Sequence, residues 1–371
     1  MITGKAKINS MQLFCLMYLF EIGSSVVVGI GIQAKQDAWI AILIGMFIGI
    51  GVFLMYYYLF MKYPTQPLTS YVNIILGRFL GFPISIAYVL YFLYIAARVL
   101  RDLGGLIITS ALEETPMYAV TILMMILVSY GVLKGIEVIG RTGEWIFLII
   151  LLIGIFGVIF ISFSGIIKPE RLMPILENGW KPVLKTVFPQ ILTFPFGEMI
   201  AFTMILPHLN SPSSAKKVGV FAILASGLTL SITIAIEISI LGAEGVAVSQ
   251  FPLLEAIAKV SIANFIERLD ILVVITLIFG VFVKIMIFFY AALIGLGDIF
   301  SFRNQKQWSY SIVILAIVVV IAADQIATDI VKHLEIGLKK VPLYLHIPLQ
   351  IIIPLLLVIV SLFHKKTLKE K

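Results

Sequence analysis

Stretches of about 20 apolar residues, the length that crosses a hydrocarbon core, recur in this chain from Met11 to near its C-terminal end, with short polar breaks between them. That recurrence constrains the fold more than any single motif. Backbone in lipid must satisfy its own hydrogen bonds, and an apolar helix does so within one segment. Only 13% of the 371 residues are charged, about half the share of a soluble domain. The expected class is an all-α membrane protein of about ten transmembrane helices, solvated by the lipid bilayer.

The apolar pattern places spans near residues 10–31, 38–61, 83–110, 117–133, 145–166, 184–207, 218–241, 271–296, 308–323 and 342–363. Lys5 and Lys7 precede the first run, but no small-residue cleavage site follows it, so it is expected to be a retained span and not a signal peptide. With the N-terminus inside, the inner segments hold 14 of the 27 Lys and Arg and the outer connectors 10. The most basic outer connectors are long and weigh less in orientation, so both termini are expected on the cytoplasmic side. Connectors 167–185, 242–270 and 324–341 are long for a helical bundle. Residues 251–268 mix Leu254, Ile257, Ala258 and Ile262 with Glu255, Lys259 and Arg268, which predicts a short amphipathic helix; an ordinary loop is the alternative.

Several functions are disfavoured at this point. The net charge of +7 is dispersed over connectors and tail, so it forms no nucleic-acid surface. Cys15 is the only cysteine, which rules out a disulfide framework and points to packing. His208, His333, His346 and His364 are too scattered to indicate a metal site, and Gly45-x-x-x-Gly49 reads as a helix-packing motif with no nucleotide-loop context. No catalytic constellation stands out, so neither an enzyme nor a cofactor is expected.

Two spans do not read as simple helices. The first contains Glu21-Ile22-Gly23-Ser24-Ser25, with Gly29 and Gly31 beyond it; the sixth contains Pro189 and then Thr193-Phe194-Pro195-Phe196-Gly197-Glu198. Proline removes a backbone donor and glycine lowers the cost of unwinding, and unwound backbone at membrane depth must line a protein-buried or watery cavity. Simple packing kinks are the alternative. However, the first and sixth spans begin two five-span halves, residues 10–166 and 184–363, which enter the membrane from opposite sides. An inverted five-plus-five repeat with interrupted first helices is the plan of LeuT-like amino-acid transporters. There, freed N–H groups attract a carboxylate while freed carbonyls and acids hold an amine or cation.

Ionisable side chains at membrane depth mark pathways or buried pairs. They are Glu21, Arg98, Arg101, Asp102, Glu198, Glu237 and Lys284. Arg98 and Asp102 are spaced to pair along one helix face, Arg101 to snorkel from a helix end, and Glu237 to be a packing partner. Lys284 lies in a wholly apolar run and is expected near Glu21 or Glu198, filling the place of a coupling cation. Tyr91, Tyr94, Phe194, Phe196 and Tyr290 are candidate walls of a small pocket, with Phe194 and Phe196 favoured because they flank the break.

Further pieces carry a family resemblance: Asp37-Ala38-Trp39, Arg98, Thr115-Pro116, Gly135-Ile136-Glu137 with Arg141 and Glu144, Pro174, Gly179 and Pro182, Pro195-Phe196-Gly197-Glu198, and Glu267-Arg268-Leu269-Asp270. In this order and spacing relative to ten spans, the chain resembles the permease-like B subunit of bacterial spore germinant receptors (the GerAB type), within the amino acid–polyamine–organocation superfamily. The resemblance implies a multi-pass protein of the spore inner membrane that binds a small nutrient, typically an amino acid, in a midplane pocket. It implies an A-type membrane subunit and a C-type lipoprotein as partners. Carried onto this chain, the pocket candidates are Gly23, Ser24, Ser25, Tyr94, Arg98, Thr193, Phe194, Phe196, Gly197, Glu198, Lys284 and Tyr290, with Glu21 and Asp102 as further buried charges. A germinant sensor is the leading expectation. A proton- or cation-coupled amino-acid transporter is the rival.

Overall fold

The computed structural model describes residues 6–26, 28–110, 114–259, 270–327 and 329–363. Asn9 caps α1 (Ser10–Ile22): its side chain accepts from the Gln12 amide at 2.8 Å, and the Gln12 side chain accepts in turn from the Asn9 amide at 3.0 Å, satisfying two N-terminal donors. α1 then stops well short of residue 31. Gly23 ends it, turns follow, and Gly31 takes a φ of +81°, which only glycine adopts without strain. The expected span of 10–31 is therefore a half-helix plus an unwound segment.

A 3-10 turn (Ile32–Asp37) leads into α2 (Ala38–Lys62). α3 (Leu68–Ser110) begins fifteen residues before the expected position 83 and bends at Gly77, whose φ is +73°. The first leg folds back on the second: Asn73 donates to Ser85 Oγ at 3.1 Å, and a Cβ on Gly81 would stand 2.6 Å from the Asn73 Cα. α4 (Met117–Lys134) and α5 (Ile136–Phe163) are separated only by Gly135, so Glu137, Arg141 and Glu144 are helical and not part of a connector.

α6 (Trp180–Met204) changes winding twice, from α (Trp180–Thr186) to π (Val187–Ile191) and, after the Thr193–Pro195 break, to 3-10 (Phe196–Met204). α7 (Ala215–Leu241) is followed by two short helices, Ala243–Val248 and Pro252–Ala258. The second is the start of the expected amphipathic segment. The rest of that segment, with Ile262, Arg268 and the Glu267-Arg268-Leu269 motif, lies outside the described residues, as does His364. α8 (Asp270–Ile299) and α9 (Gln305–Gln325) are regular. The connector after α9 holds a helix of its own, Ile330–Glu335, which continues through a π turn (Ile336–Lys340) into α10 (Pro342–Phe363). α10 is π-wound over Pro342–Ile352 and α-wound over Ile353–Phe363. Runs of π-winding are rare and gather at functional sites.

Among the described residues, nine helices are long and apolar enough to cross a membrane, and α1 is the shorter tenth because it breaks. The most extensive helix contact is α3 with α8, followed by α2 and α1 with α7. Glycines set the closest approaches. A Cβ on Gly45 or Gly49 would fall 2.3 Å from Ile191 or 2.5 Å from Phe196, so this motif seats α2 against α6. Leu151, Ile155, Phe156 and Ile159 of α5 remain exposed, as side chains meeting acyl chains should. Arg101 does not snorkel. It is buried and donates to the Ala323 and Asp324 carbonyls at 2.8 and 2.9 Å, where a cation meets the negative end of α9.

Candidate functional site

The two interrupted helices lie together. α1 contacts the 3-10 part of α6, and the Phe20 and Phe202 rings meet edge to face at 5.2 Å. α8 closes against the α1 break at paired glycines, where a Cβ on Gly23 would sit 2.8 Å from the Gly280 carbonyl oxygen. Gly280 is one helical turn before Lys284, so the same face of α8 carries Lys284 to the break.

Lys284 has no exposed surface and its Nζ lies 2.6 Å from Glu198 Oε2, itself 2% exposed. The ammonium also faces the rings of Phe194 and Phe20, at 4.6 and 5.3 Å from their centroids. A buried cation is tolerable only with such compensation. Glu21 is fully buried beside this pair. One oxygen contacts the Ser226 hydroxyl of α7, and the other has no hydrogen-bond partner among the described residues. The hydroxyls of Ser24 and Ser25 are likewise buried and without partners.

From this cluster a cavity of about 50 Å³ extends toward the connector between α9 and α10, lined by Ser24, Arg98, Asp102, Phe194, Glu198, Gly337 and His346, with apolar residues between. Arg98 and Asp102 do not pair with each other. Arg98 donates to the His333 carbonyl at 2.7 Å, and the His333 Nε2 stands 2.8 Å from Asp102 Oδ1. The ring reaches Arg98 as well, at 3.4 Å, the same distance that separates Arg98 from the Tyr94 hydroxyl. The expected i,i+4 pair is thus replaced by a bridge, because a buried histidine from the connector supplies a partner for both side chains. Gly337 makes room: a Cβ there would lie 2.2 Å from the Arg98 Nη2.

A second network borders the cavity. The Tyr91 hydroxyl is 2.7 Å from the His346 Nδ1 and accepts from Gln350 at 2.7 Å. The Tyr56 hydroxyl reaches the Gln350 carbonyl at 2.7 Å and the Gly197 carbonyl, at the α6 break, at 3.1 Å. The π-winding of α10 presents His346 and Gln350 to these partners.

Of the residues singled out in the sequence, Ser24, Arg98, Asp102, Phe194 and Glu198 line one space, with Lys284 and Glu21 behind it. Others are placed differently. Gly23 serves close packing against α8. Ser25 is buried outside the lining. Thr193 turns its hydroxyl back to the Pro189 carbonyl at 2.9 Å, the usual choice for a threonine in a helical turn. Phe196 fills the notch at Gly49 and does not face the cavity. Tyr290 is buried against the His208 ring at 6.2 Å. Gly197 meets Gln350, not the cavity. Glu237 is buried in α7, away from the cavity lining. His333 and His346 were read in the sequence only as too scattered for a metal site, and Gln350 and Gly337 were not singled out; the available signal was His346 and Gln350 at i,i+4 in an apolar span. Among the described residues, no group of three or more His, Cys, Asp or Glu is arranged to hold a metal ion.

Comparison with known proteins is decisive about descent. A family model described as a spore germination protein matches residues 7–328. The chain belongs to the spore germination permease family. It is similar to spore germination protein KB of Bacillus subtilis (strain 168), with 41% identity over 98% of this chain and 96% of that one. It is also similar to the same organism's spore germination protein YndE, with 26% identity over 90% and 89% of the two chains. Among solved structures, this chain is similar to MhsT in complex with L-phenylalanine (TM-score 0.70, 13% identity, 97% of this chain and 99% of that one). It is similar also to Mhp1, a nucleobase-cation-symport-1 family transporter with bromovinylhydantoin bound (TM-score 0.67, 14% identity, 90% and 75%). At such identities the likeness speaks for the fold alone: an inverted five-plus-five transporter fold with broken first and sixth helices.

Proposed function

We propose that this chain is the nutrient-sensing subunit of a spore germinant receptor, binding an amino acid in the cavity between Arg98 and Glu198. The observation that carries this reading is the placement of a buried guanidinium and a buried carboxylate on walls of one space, beside two helices that unwind there. A zwitterion offers a carboxylate for Arg98 and an ammonium for Glu198, and charge-assisted bonds of that kind are strong away from water. A cavity of about 50 Å³ has room for a few waters, so a ligand of more than a few heavy atoms requires the walls to move. A ligand shifts such an equilibrium only by its different affinity for the two states, and that shift is the signal passed to an A-type membrane subunit and a C-type lipoprotein. The spore inner membrane, with both termini cytoplasmic, is the compartment this reading requires, and residues 10–166 and 184–363 are its two repeats.

The test is thermal denaturation of the purified full chain against a panel of L-amino acids, sugars and nucleosides. An amino acid at a hundredfold its Kd should stabilise by about 2.7 kcal/mol, and Arg98→Gln should abolish the shift. Stabilisation by a sugar or nucleoside alone, or a shift that survives Arg98→Gln, overturns the reading. The transporter fold supports a second reading, an amino-acid permease, which sustained accumulation of labelled amino acid in proteoliposomes would favour.

A further inference from the structure

Three charged side chains meet where α1, α6 and α8 converge, and their charges do not balance if all are ionised: Lys284 is one cation against Glu198 and Glu21. Lys284 pairs with Glu198. Glu21 is left fully buried, with one oxygen against Ser226 and the other without a hydrogen-bond partner. An ionised carboxylate so placed would carry a large uncompensated desolvation cost.

The Ser226 hydroxyl decides the matter. Its Oγ contacts Glu21 and also lies 2.9 Å from the Ala222 carbonyl and 3.2 Å from the Ile223 carbonyl. A hydroxyl owns one proton. If Glu21 is ionised, that single proton faces three acceptors. If Glu21 is protonated, the carboxyl donates to Oγ, and the hydroxyl proton is free for the Ala222 carbonyl one turn back, a bond serine commonly makes in helices. The second arrangement gives every short contact a donor.

We propose that Glu21 is a proton-binding site coupled to Lys284: it is protonated while Lys284 is held by Glu198, and ionised when Lys284 turns to it. The charged groups that face Glu21 are Lys284 from α8 and Glu198 from α6. α7 offers Ser226. On α5, the carboxylate of Glu144 is engaged with Gln12, more than two turns from Glu21 along α1. Lys284 interacts electrostatically with both carboxyls and its flexible stem lets the ammonium choose between them. Anything that satisfies or removes the Glu198 charge releases Lys284. The ammonium then pairs with the Glu21 carboxylate, the carboxyl O–H bond breaks, and the proton leaves to water in the adjoining cavity. One cation and one anion remain paired throughout. The scheme needs no particular ligand, so it stands or falls separately from the amino-acid reading.

Infrared spectroscopy of the full chain in nanodiscs at neutral pH tests it without a ligand. The wild type should show a protonated-carboxyl C=O band that is missing in Glu21→Gln, an isosteric change that preserves the neutral group's shape. Ser226→Ala should move that band, since it removes the acceptor of the carboxyl proton, and serves if Glu21→Gln fails to fold. In Glu198→Gln the band should disappear, because Lys284 then has only Glu21 to pair with. A wild type lacking the Glu21 band overturns the proton site. A band that persists in Glu198→Gln overturns the coupling.

Discussion

An ammonium drawn into a low-dielectric interior loses several kcal/mol of solvation, and Lys284 recovers it from a carboxylate at 2.6 Å and two aromatic faces. The pair is thus more costly to break than to lack. Lys284→Met strands a buried carboxylate and should destabilise by about 3 kcal/mol. The double variant Lys284→Met/Glu198→Gln removes both charges and should regain most of that loss in melting temperature. If the double variant is no more stable than the single one, the ion pair is not what holds this region. Lys284 was legible in the sequence because a lone charge in an apolar run has to find a partner, and Glu198 was legible because an acid sat at the proline break. His333 was not. It lies in a polar connector, 231 positions from the Asp102 it bridges, and no local pattern encodes a contact made only by tertiary folding. The same blindness led to a direct Arg98–Asp102 pair, since i,i+4 spacing reports which face two side chains share and not what lies between them.

At the scale of elements, the breaks in α1 and α6 were visible as Gly and Pro clusters, while the lengths of α1, α3 and α5 were not. Hydropathy marks an uninterrupted apolar run, but α3 begins before Pro83 as a leg bent at Gly77, and α5 runs through Glu137, Arg141 and Glu144, because helical hydrogen bonding continues across charged and glycine positions that interrupt such a run. The π-winding of α10 also has no sequence signal beyond Pro342, Pro348 and Pro354. The connector helix Ile330–Glu335 lies over the cavity as a lid, fastened by His333 to Arg98 and Asp102. Gly337→Ala probes that lid. The new methyl would fall 2.2 Å from the Arg98 Nη2 and must displace the guanidinium. Ligand-induced stabilisation should fall at least tenfold in affinity, about 1.4 kcal/mol, while Gly154→Ala, with open space around it, should leave it unchanged. Equal affinities in the two variants would show that Arg98 needs no such clearance.

On the scale of the whole molecule, the start of the first half is tied to the second by a short parallel bridge. The Ile8 amide donates to the His208 carbonyl at 2.9 Å and the Asn210 amide to the Ile8 carbonyl at 3.0 Å. His208 lies in the connector between α6 and α7, outside the spans. Burial, assisted by the Lys7 charge, holds its imidazole below the ordinary value of 6.5, against the opposing effect of the bond the ring donates to the Ala6 carbonyl. A histidine whose folded value is depressed takes its proton more readily when unfolded. Stability therefore holds above the ordinary value and falls as pH drops from 6.5 toward the folded value. His208→Gln should flatten that loss between pH 6.5 and 5 in thermal denaturation; an unchanged slope would place the acid sensitivity elsewhere.

The number and order of helices were readable from hydropathy because lipid imposes one rule on every span. The interior was not, because its polar contacts join residues from opposite ends of the chain. One consequence follows from where Lys284 is anchored. An ammonium fixed to the backbone by four methylenes keeps a constant local concentration, whereas a dissolved sodium or potassium ion comes and goes with the brine outside. The charge facing Glu198 is therefore covalently part of the protein, and the pair draws no ion from the surrounding solution.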